Sequence, residues 1–263
     1  MRIRLGRKRK GKKQGPPQPS LRERFPDVGE QILSTIEAVS EFTMTSPERL
    51  IALSDAVQHI SEQKIAGDFV ECGVWRGGST MAAARTLVAM QDTERELWLY
   101  DTFDGMSEPG PADVDHAGND AAHLLAEQDK QDSQSIWCRS PLDEVKQNVR
   151  STGYPFKRFR FVQGKVEETI PNQLPDRISL LRLDTDWYES TLHELEHLYP
   201  RLSQGGVLII DDYGHWQGCR RAVDEYFAKH NISLFLNRID YTGRLAIKTS
   251  PSVSERMVGR RAA

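Results

Sequence analysis

From Asp68 onward, short apolar runs alternate with longer stretches in which apolar positions recur every three or four residues. The runs "DFVECG" (68–73), "ELWLYDTF" (96–103), "FRFVQG" (159–164), "ISLLRLD" (178–184) and "GGVLIID" (205–211) predict strands. Helical spacing falls near 79–90, 141–151, 191–202 and 219–230, and in the third of these Thr191 and Glu194 match a capping box. Upstream, "SPERLIALSDAVQHI" carries Ser46 as an N-cap, Pro47 at the first helical position, and Leu50, Leu53, Val57 and Ile60 along one face.

Strands that are apolar almost throughout, separated by helices, predict a parallel sheet covered on both faces. The end of the pattern differs: "ISLFLNRIDYTGRLAIKT" reads as two strands joined through Tyr241-Thr242-Gly243, an antiparallel hairpin. The expected architecture is α/β, a seven-stranded, mostly parallel sheet closed by that hairpin. The expected organisation is a basic, Pro-rich, disordered tail (1–20), a helical cap (21–66), a main domain (67–250) and a short C-terminal tail (251–263). An acidic insertion at 104–140, poor in large apolar groups, reads as a lid or binding loop.

Composition narrows the class. With 38% hydrophobic and 28% charged residues the chain reads as a soluble globular protein, and no apolar run approaches the roughly 18–20 residues that span a bilayer. It has no signal-peptide core, and three widely spaced cysteines (Cys72, Cys138, Cys219) fit neither a disulfide framework nor a zinc site, so the cytoplasm is the expected setting. The first 13 residues hold eight Lys/Arg, which leaves 27 basic against 38 acidic residues in the remainder. That acidic body argues against nucleic acid as the main partner, and the basic tail is free to touch an anionic surface. A homo-oligomer is compatible with the sequence.

Two features carry candidate chemistry. In "DFVECGVWRGGST", Gly73, Gly77 and Gly78 allow a tight strand-to-helix turn and close approach of a ligand, while N–H groups near Ser79 point above the strand end. Trp75 stands where a dinucleotide fingerprint needs its second glycine. The bulk of Trp75 and Arg76 suits a ligand with an amino-acid end, such as S-adenosylmethionine. Asp101, closing the second strand, is placed to accept ribose hydroxyls, whereas Asp104 reads as a turn residue.

The second feature is a pair of strands that end in acid, "LRLDTDWYEST" and "GGVLIIDDYGH". Neighbouring strands lie about 4.8 Å apart, so Asp184, Asp211 and Asp212 converge at one sheet edge, and three carboxylates repel unless a cation joins them. Oxygen-only ligands suit Mg²⁺, or Mn²⁺ or Ca²⁺. Asp186 reads as a helix cap rather than a ligand, and Asp212 is open to a turn role.

Together with "FTMTSPERLIALSDAVQHI", these segments resemble the macrocin, mycinamicin and novobiocin sugar O-methyltransferase family over roughly residues 40–249. The resemblance implies the class I methyltransferase, Rossmann-like fold, S-adenosylmethionine as donor, Mg²⁺, and a sugar hydroxyl of a secondary metabolite or glycan as acceptor. It implies Asp184, Asp211 and Asp212 as metal ligands. It implies Glu71, Gly73, Gly77, Gly78, Ser79, Asp101 and the segment around Thr45 as cofactor contacts, with Gly164 where the chain closes over adenine. Lys165-Val166 stands where the family more usually has an aromatic. For the base, His116 and His123 in the insertion and His215 after the paired acids are the candidates, with His123, His215 or a metal-bound carboxylate such as Asp184 taking the proton. Two alternatives remain: the same triad acting on a phenolic or catechol-like hydroxyl, and a non-catalytic cofactor- or glycan-binding module.

Overall fold

The structure is a computed structural model and describes residues 19–130, 132 and 135–249. The basic tail and the residues from 250 on, to which sequence reading gave the two terminal segments, lie outside these apart from 19 and 20.

Four elements precede the main domain: α1 (Leu21–Arg24), α2 (Glu30–Val39), a 3₁₀ turn (Ser40–Phe42) and α3 (Pro47–Glu62). Ser46 caps α3, its Oγ accepting the Arg49 N–H at 3.2 Å, and Pro47 opens the helix as the sequence predicts. The main domain then runs β1 (Asp68–Cys72), α4 (Gly78–Ala89), β2 (Leu97–Asp101), α5 (Ala121–Ala126), α6 (Leu142–Arg150) and β3 (Phe159–Gln163). It continues through α7 (Val166–Thr169), β4 (Ile178–Leu183), α8 (Tyr188–Leu198), β5 (Leu202–Ile210), α9 (Gln217–Lys229), β6 (Asn237–Arg238) and β7 (Arg244–Ile247).

The seven strands form one sheet in the order β3-β2-β1-β4-β5-β7-β6, with β1 to β5 parallel and β7 antiparallel between β5 and β6. Alternating residues of each buried strand feed two apolar layers. Phe69, Leu99, Leu180 and Ile209 face α2, α3, α4 and α6, whereas Val70, Tyr100, Leu181 and Leu208 face α7, α8 and α9. Because β1, β4 and the end of β5 are buried on both faces, their sequences read as continuous apolar runs rather than alternation. The helices of 21–66 belong to the first layer: Ile36, Leu50, Leu53, Val57 and Ile60 share its core with Phe69 and Leu180.

One local expectation needs correction, and two others gain detail. First, the Thr191–Glu194 capping box does not form: α8 begins at Tyr188, Thr191 is buried inside it, and Glu194 turns inward to accept the Thr185 hydroxyl at 2.9 Å. The cap comes instead from the insertion, where buried Asp113 Oδ1 accepts the Tyr188 N–H at 2.7 Å. Second, the insertion is docked. Trp187 Nε1 donates to Ser107 O, and Asp115 bridges to Trp216 across a short antiparallel contact. Third, the final hairpin is lopsided, since only Asn237–Arg238 pairs outside β7 and the apolar 232–236 stretch forms no strand.

Candidate functional site

A cleft of about 380 Å³ opens at the carboxyl ends of β1, β2, β4 and β5, where ligand sites of open α/β sheets form. One wall comes from the glycine loop and the segment Phe42–Thr45, and the opposite one from the insertion. The floor comes from strand-end acids.

The glycine loop is shaped by Asp101. Its Oδ2 accepts the N–H groups of Val74 (2.7 Å) and Trp75 (3.1 Å), and its Oδ1 accepts that of Phe103 (2.6 Å). Asp101 lines the cleft at the expected strand end, yet its oxygens hold the loop in place. The glycines, too, serve chain against chain. A Cβ on Gly73 would lie 1.9 Å from Asp184 O, and one on Gly78 would lie 2.5 Å from Phe42 O. Gly77 takes the left-handed backbone, φ 89°, that starts α4. Gly73, Ser79, Thr45 and Gly164 line the cleft together with Asp101, whereas Glu71, Gly77 and Gly78 lie behind its surface. Arg76 also turns away, to Glu144 at 2.9 Å and the Glu41 carbonyl at 2.7 Å, so of the bulky pair only Trp75 faces the cleft.

The acids converge, but around a different set. Asp184 and Asp211 continue the ladders of β4 and β5, their N–H groups donating to Cys72 O and Leu183 O, each at 2.9 Å. Ligand oxygens of Asp184, Asp186 and Asp212 all lie within 4.8 Å of one another, a spacing that can hold a metal ion. Asp186 is therefore not the cap that its position implied, and it reaches the cluster through a left-handed backbone, φ 68°. Trp75 (φ 46°) and Cys138 (φ 51°) on the cleft wall share that strained conformation, which clusters at functional sites. Burial first, then mutual repulsion, raises all three carboxyls: Asp184 and Asp212 well above the ordinary range, Asp186 to about 7. Asp212 Oδ2 is buried with no donor facing it. A divalent cation would satisfy that atom and relieve the repulsion, so the donor set fits a hard ion.

Asp211, expected as a ligand, stands one step back. Its Oδ2 pairs with Arg49 of α3 and its Oδ1 with Arg182 of β4 at 2.7 Å. Arg182 escaped sequence reading, although a lone arginine inside an apolar strand was the signal that marks it. Only 2% exposed, it donates through Nη1 to Glu71 Oε1 (2.7 Å) and Asp184 Oδ2 (2.6 Å), and through Nη2 to Asp211 Oδ1 and Thr45 Oγ1 (3.1 Å). Glu71, expected at the cofactor, is the buried partner of this guanidinium.

The histidines separate clearly. His123 sits on an exposed face of α5, 3.3 Å from Glu127, and does not line the cleft. His215 does line it: its Nδ1 meets the Tyr241 hydroxyl at 3.1 Å, and its ring packs 5.2 Å from that of His116. Burial, His116 and Arg49 hold the His215 imidazole below its usual pKa. Gly214 makes this cluster possible, because a Cβ there would lie 1.9 Å from Tyr241 O.

The chain is 36% identical over 218 residues to the 8-demethyl-8-(2,3-dimethoxy-alpha-L-rhamnosyl)-tetracenomycin-C 4'-O-methyltransferase of Streptomyces olivaceus, covering 83% of this chain and 80% of that one. It is 35% identical over 201 residues to the mycinamicin III 3''-O-methyltransferase of Micromonospora griseorubida, covering 76% of each. Among solved structures, that of the O-methyltransferase NovP is similar at a TM-score of 0.68 and 32% identity, covering 80% of this chain and 83% of that one. The sheet order, the closing hairpin and this likeness make the fold that of class I methyltransferases. The model of the macrocin O-methyltransferase family, TylF, matches residues 22–247, and the chain belongs to that family of O-methyltransferases.

Proposed function

We propose that the protein transfers a methyl group from S-adenosylmethionine to a sugar hydroxyl, with Mg²⁺ at the acid cluster. The observation that carries this reading is the convergence of Asp184, Asp186 and Asp212 at the foot of the cleft whose wall is the glycine loop. The relatives are named for methylating sugar-bearing metabolites. The cleft mouth fits an acceptor that also has an apolar body, since Met44, Ile136 and Tyr241 are exposed large apolar residues and all three line it.

Each residue then has a part. Thr45 and Ser79, whose hydroxyls lie 3.3 Å apart, face the amino-acid end of the donor, and Gly164 with Val166 closes over its base. Asp184, Asp186 and Asp212 hold the cation, and Asp211 orients the cluster from behind. When bound, S-adenosylmethionine supplies an electrophilic methyl and Mg²⁺ acidifies a hydroxyl oxygen. His215 accepts the hydroxyl proton, with Tyr241 fixing its ring through Nδ1. His123, exposed and outside the cleft, takes no part. Most of the acceleration then comes from holding donor and acceptor in line.

The test is S-adenosylhomocysteine formation by purified protein with Mg²⁺ and a panel of glycosides, nucleotide sugars and catechols. Turnover with glycosides that stops in EDTA is expected. Turnover confined to catechols would overturn the acceptor class, and undiminished turnover in EDTA would overturn the cation. No turnover with any acceptor, alongside tight S-adenosylhomocysteine binding, would favour a binding module. Among the described residues no helix is long and apolar enough to cross a membrane.

A further inference from the structure

Arg182 has no part in the chemistry described so far, yet more charge converges on it than its burial requires. A buried guanidinium needs a carboxylate partner to offset its lost hydration; this one has three, from three adjacent strands, plus a hydroxyl. The partners divide by location. Glu71 is fully enclosed and also receives the Thr80 hydroxyl. Asp184 opens onto the cleft with 27% of its side chain exposed, and Asp211 is locked from its other side by Arg49. Each end of the fork thus joins a buried carboxylate to a group of the cleft wall: Nη1 holds Glu71 and Asp184, and Nη2 holds Asp211 and Thr45.

That grip has a directional consequence. With Asp184 Oδ2 committed to Nη1 at 2.6 Å, that oxygen is held against the guanidinium and rotation of the carboxylate is restricted. Asp211, with both oxygens bonded to guanidinium groups, serves as the second anchor that keeps the fork from rotating. A lysine cannot do this, since an ammonium is a point charge without a planar fork.

Resting on the cation reading given above, we infer that Arg182 is a positioning residue that sets the carboxylate of Asp184 for divalent-cation binding, with Glu71 and Asp211 as its anchors. It does not touch the reacting atoms. Its effect falls on cation affinity far more than on the methyl donor, although its weaker bond to Thr45 reaches that side.

Mn²⁺ titration followed by electron paramagnetic resonance, with S-adenosylhomocysteine binding by calorimetry, separates the possibilities in wild type, Arg182→Lys and Glu71→Gln. Arg182→Lys is expected to weaken Mn²⁺ at least tenfold while S-adenosylhomocysteine binding stays within fivefold. Glu71→Gln takes the charge from one anchor, lets the guanidinium shift from the position in which it holds Asp184, and is expected to weaken Mn²⁺ about threefold. Unchanged Mn²⁺ affinity in folded Arg182→Lys overturns the proposal, as does weakening of both ligands by the same factor, the mark of general loosening. If Arg182→Lys does not fold, unchanged Mn²⁺ affinity in Glu71→Gln overturns it. Absence of Mn²⁺ binding in the wild type overturns the cation reading itself, and this proposal with it, which is a different outcome from wild-type binding that the variants leave intact.

Discussion

Glu71 and Arg182 are register partners on neighbouring parallel strands, and their side chains meet at 2.7 Å on one face of the sheet, both almost wholly buried. Replacing Glu71 with Leu removes one partner and leaves the guanidinium enclosed with fewer acceptors. Because Asp184 and Asp211 still offset the guanidinium, the cost is that of a lost hydrogen bond to a charged group, about 1.5–3 kcal/mol. A urea titration is expected to show a loss of that order at unchanged slope, and a change under about 1 kcal/mol would mean that the pair behaves as a surface bridge.

Gly78 tests the packing of the cofactor wall. A methyl group there would meet Phe42 O at 2.5 Å and Thr43 Cβ at 2.6 Å, at a backbone conformation that alanine adopts freely. The cost is therefore displacement of the Phe42–Thr45 segment rather than strain in α4. Gly78→Ala is expected to weaken S-adenosylhomocysteine binding about tenfold, an overpacking penalty of the usual 1–3 kcal/mol, while Mn²⁺ affinity stays within twofold. Calorimetry with each ligand decides it.

The sheet was legible because strands buried on both faces leave uninterrupted apolar runs, and the hairpin because Tyr241-Thr242-Gly243 breaks one cleanly. The site was legible only to the level of strand ends. Asp184 and Asp212 sit where the ladders stop, and that much follows from spacing. Asp186 was read as a cap because a left-handed backbone at a non-glycine residue leaves no mark in the sequence. Asp211 was read as a ligand because its two arginine partners come from α3, over 160 residues upstream, and from the neighbouring strand. The early start of α8 was hidden for the same reason, since its cap, Asp113, belongs to the insertion.

Asp240 gives the molecule an acid-sensitive clamp. Burial alone would raise its carboxyl, but the Gly243 N–H, the Ser46 hydroxyl, Arg49 and the Thr242 N–H outweigh that and hold it below the ordinary range. A lowered folded value means stability that is complete above the unfolded carboxylate pKa, about 3.9, and is lost as pH falls through the folded one. Wild type should therefore lose stability more steeply below pH 4 than Asp240→Asn, which starts lower at pH 7 by about 1.5–3 kcal/mol, the scale of hydrogen bonds to a charged group. Parallel acid slopes in thermal melts from pH 5 to 3 would remove Asp240 from the account.

His215 and His123 divide on the same assay. Loss of a positioned base typically lowers turnover by about 10²–10⁴-fold, so His215→Ala is expected to fall in that range at saturating donor and Mg²⁺. His123→Ala should stay within twofold, because its ring faces solvent beside Glu127. Tyr241→Phe removes the hydroxyl that meets His215 Nδ1 at 3.1 Å and is expected to lower kcat more than it raises the acceptor KM. The reverse ranking of the two histidines in a steady-state comparison would move the base into the insertion.

Asp186 and Asp211 are both strand-end acids, and the structure gives them opposite loads. Asp186 shares a space with Asp184 and Asp212, and burial first, then the neighbouring Asp184, drives its carboxyl up to about 7. Asp211 is balanced twice over by Arg49 and Arg182. Asp186→Asn removes a repelling charge, so the metal-free protein should melt higher than wild type, while Mn²⁺ affinity falls at least tenfold. Asp211→Asn strips one charge from two guanidinium groups, so it should melt lower and lose cation affinity only through the displaced Arg182. Melting curves in EDTA alongside Mn²⁺ titrations separate the two, and a metal-free melting temperature that drops for Asp186→Asn and rises for Asp211→Asn would reverse the assignment of ligand and anchor.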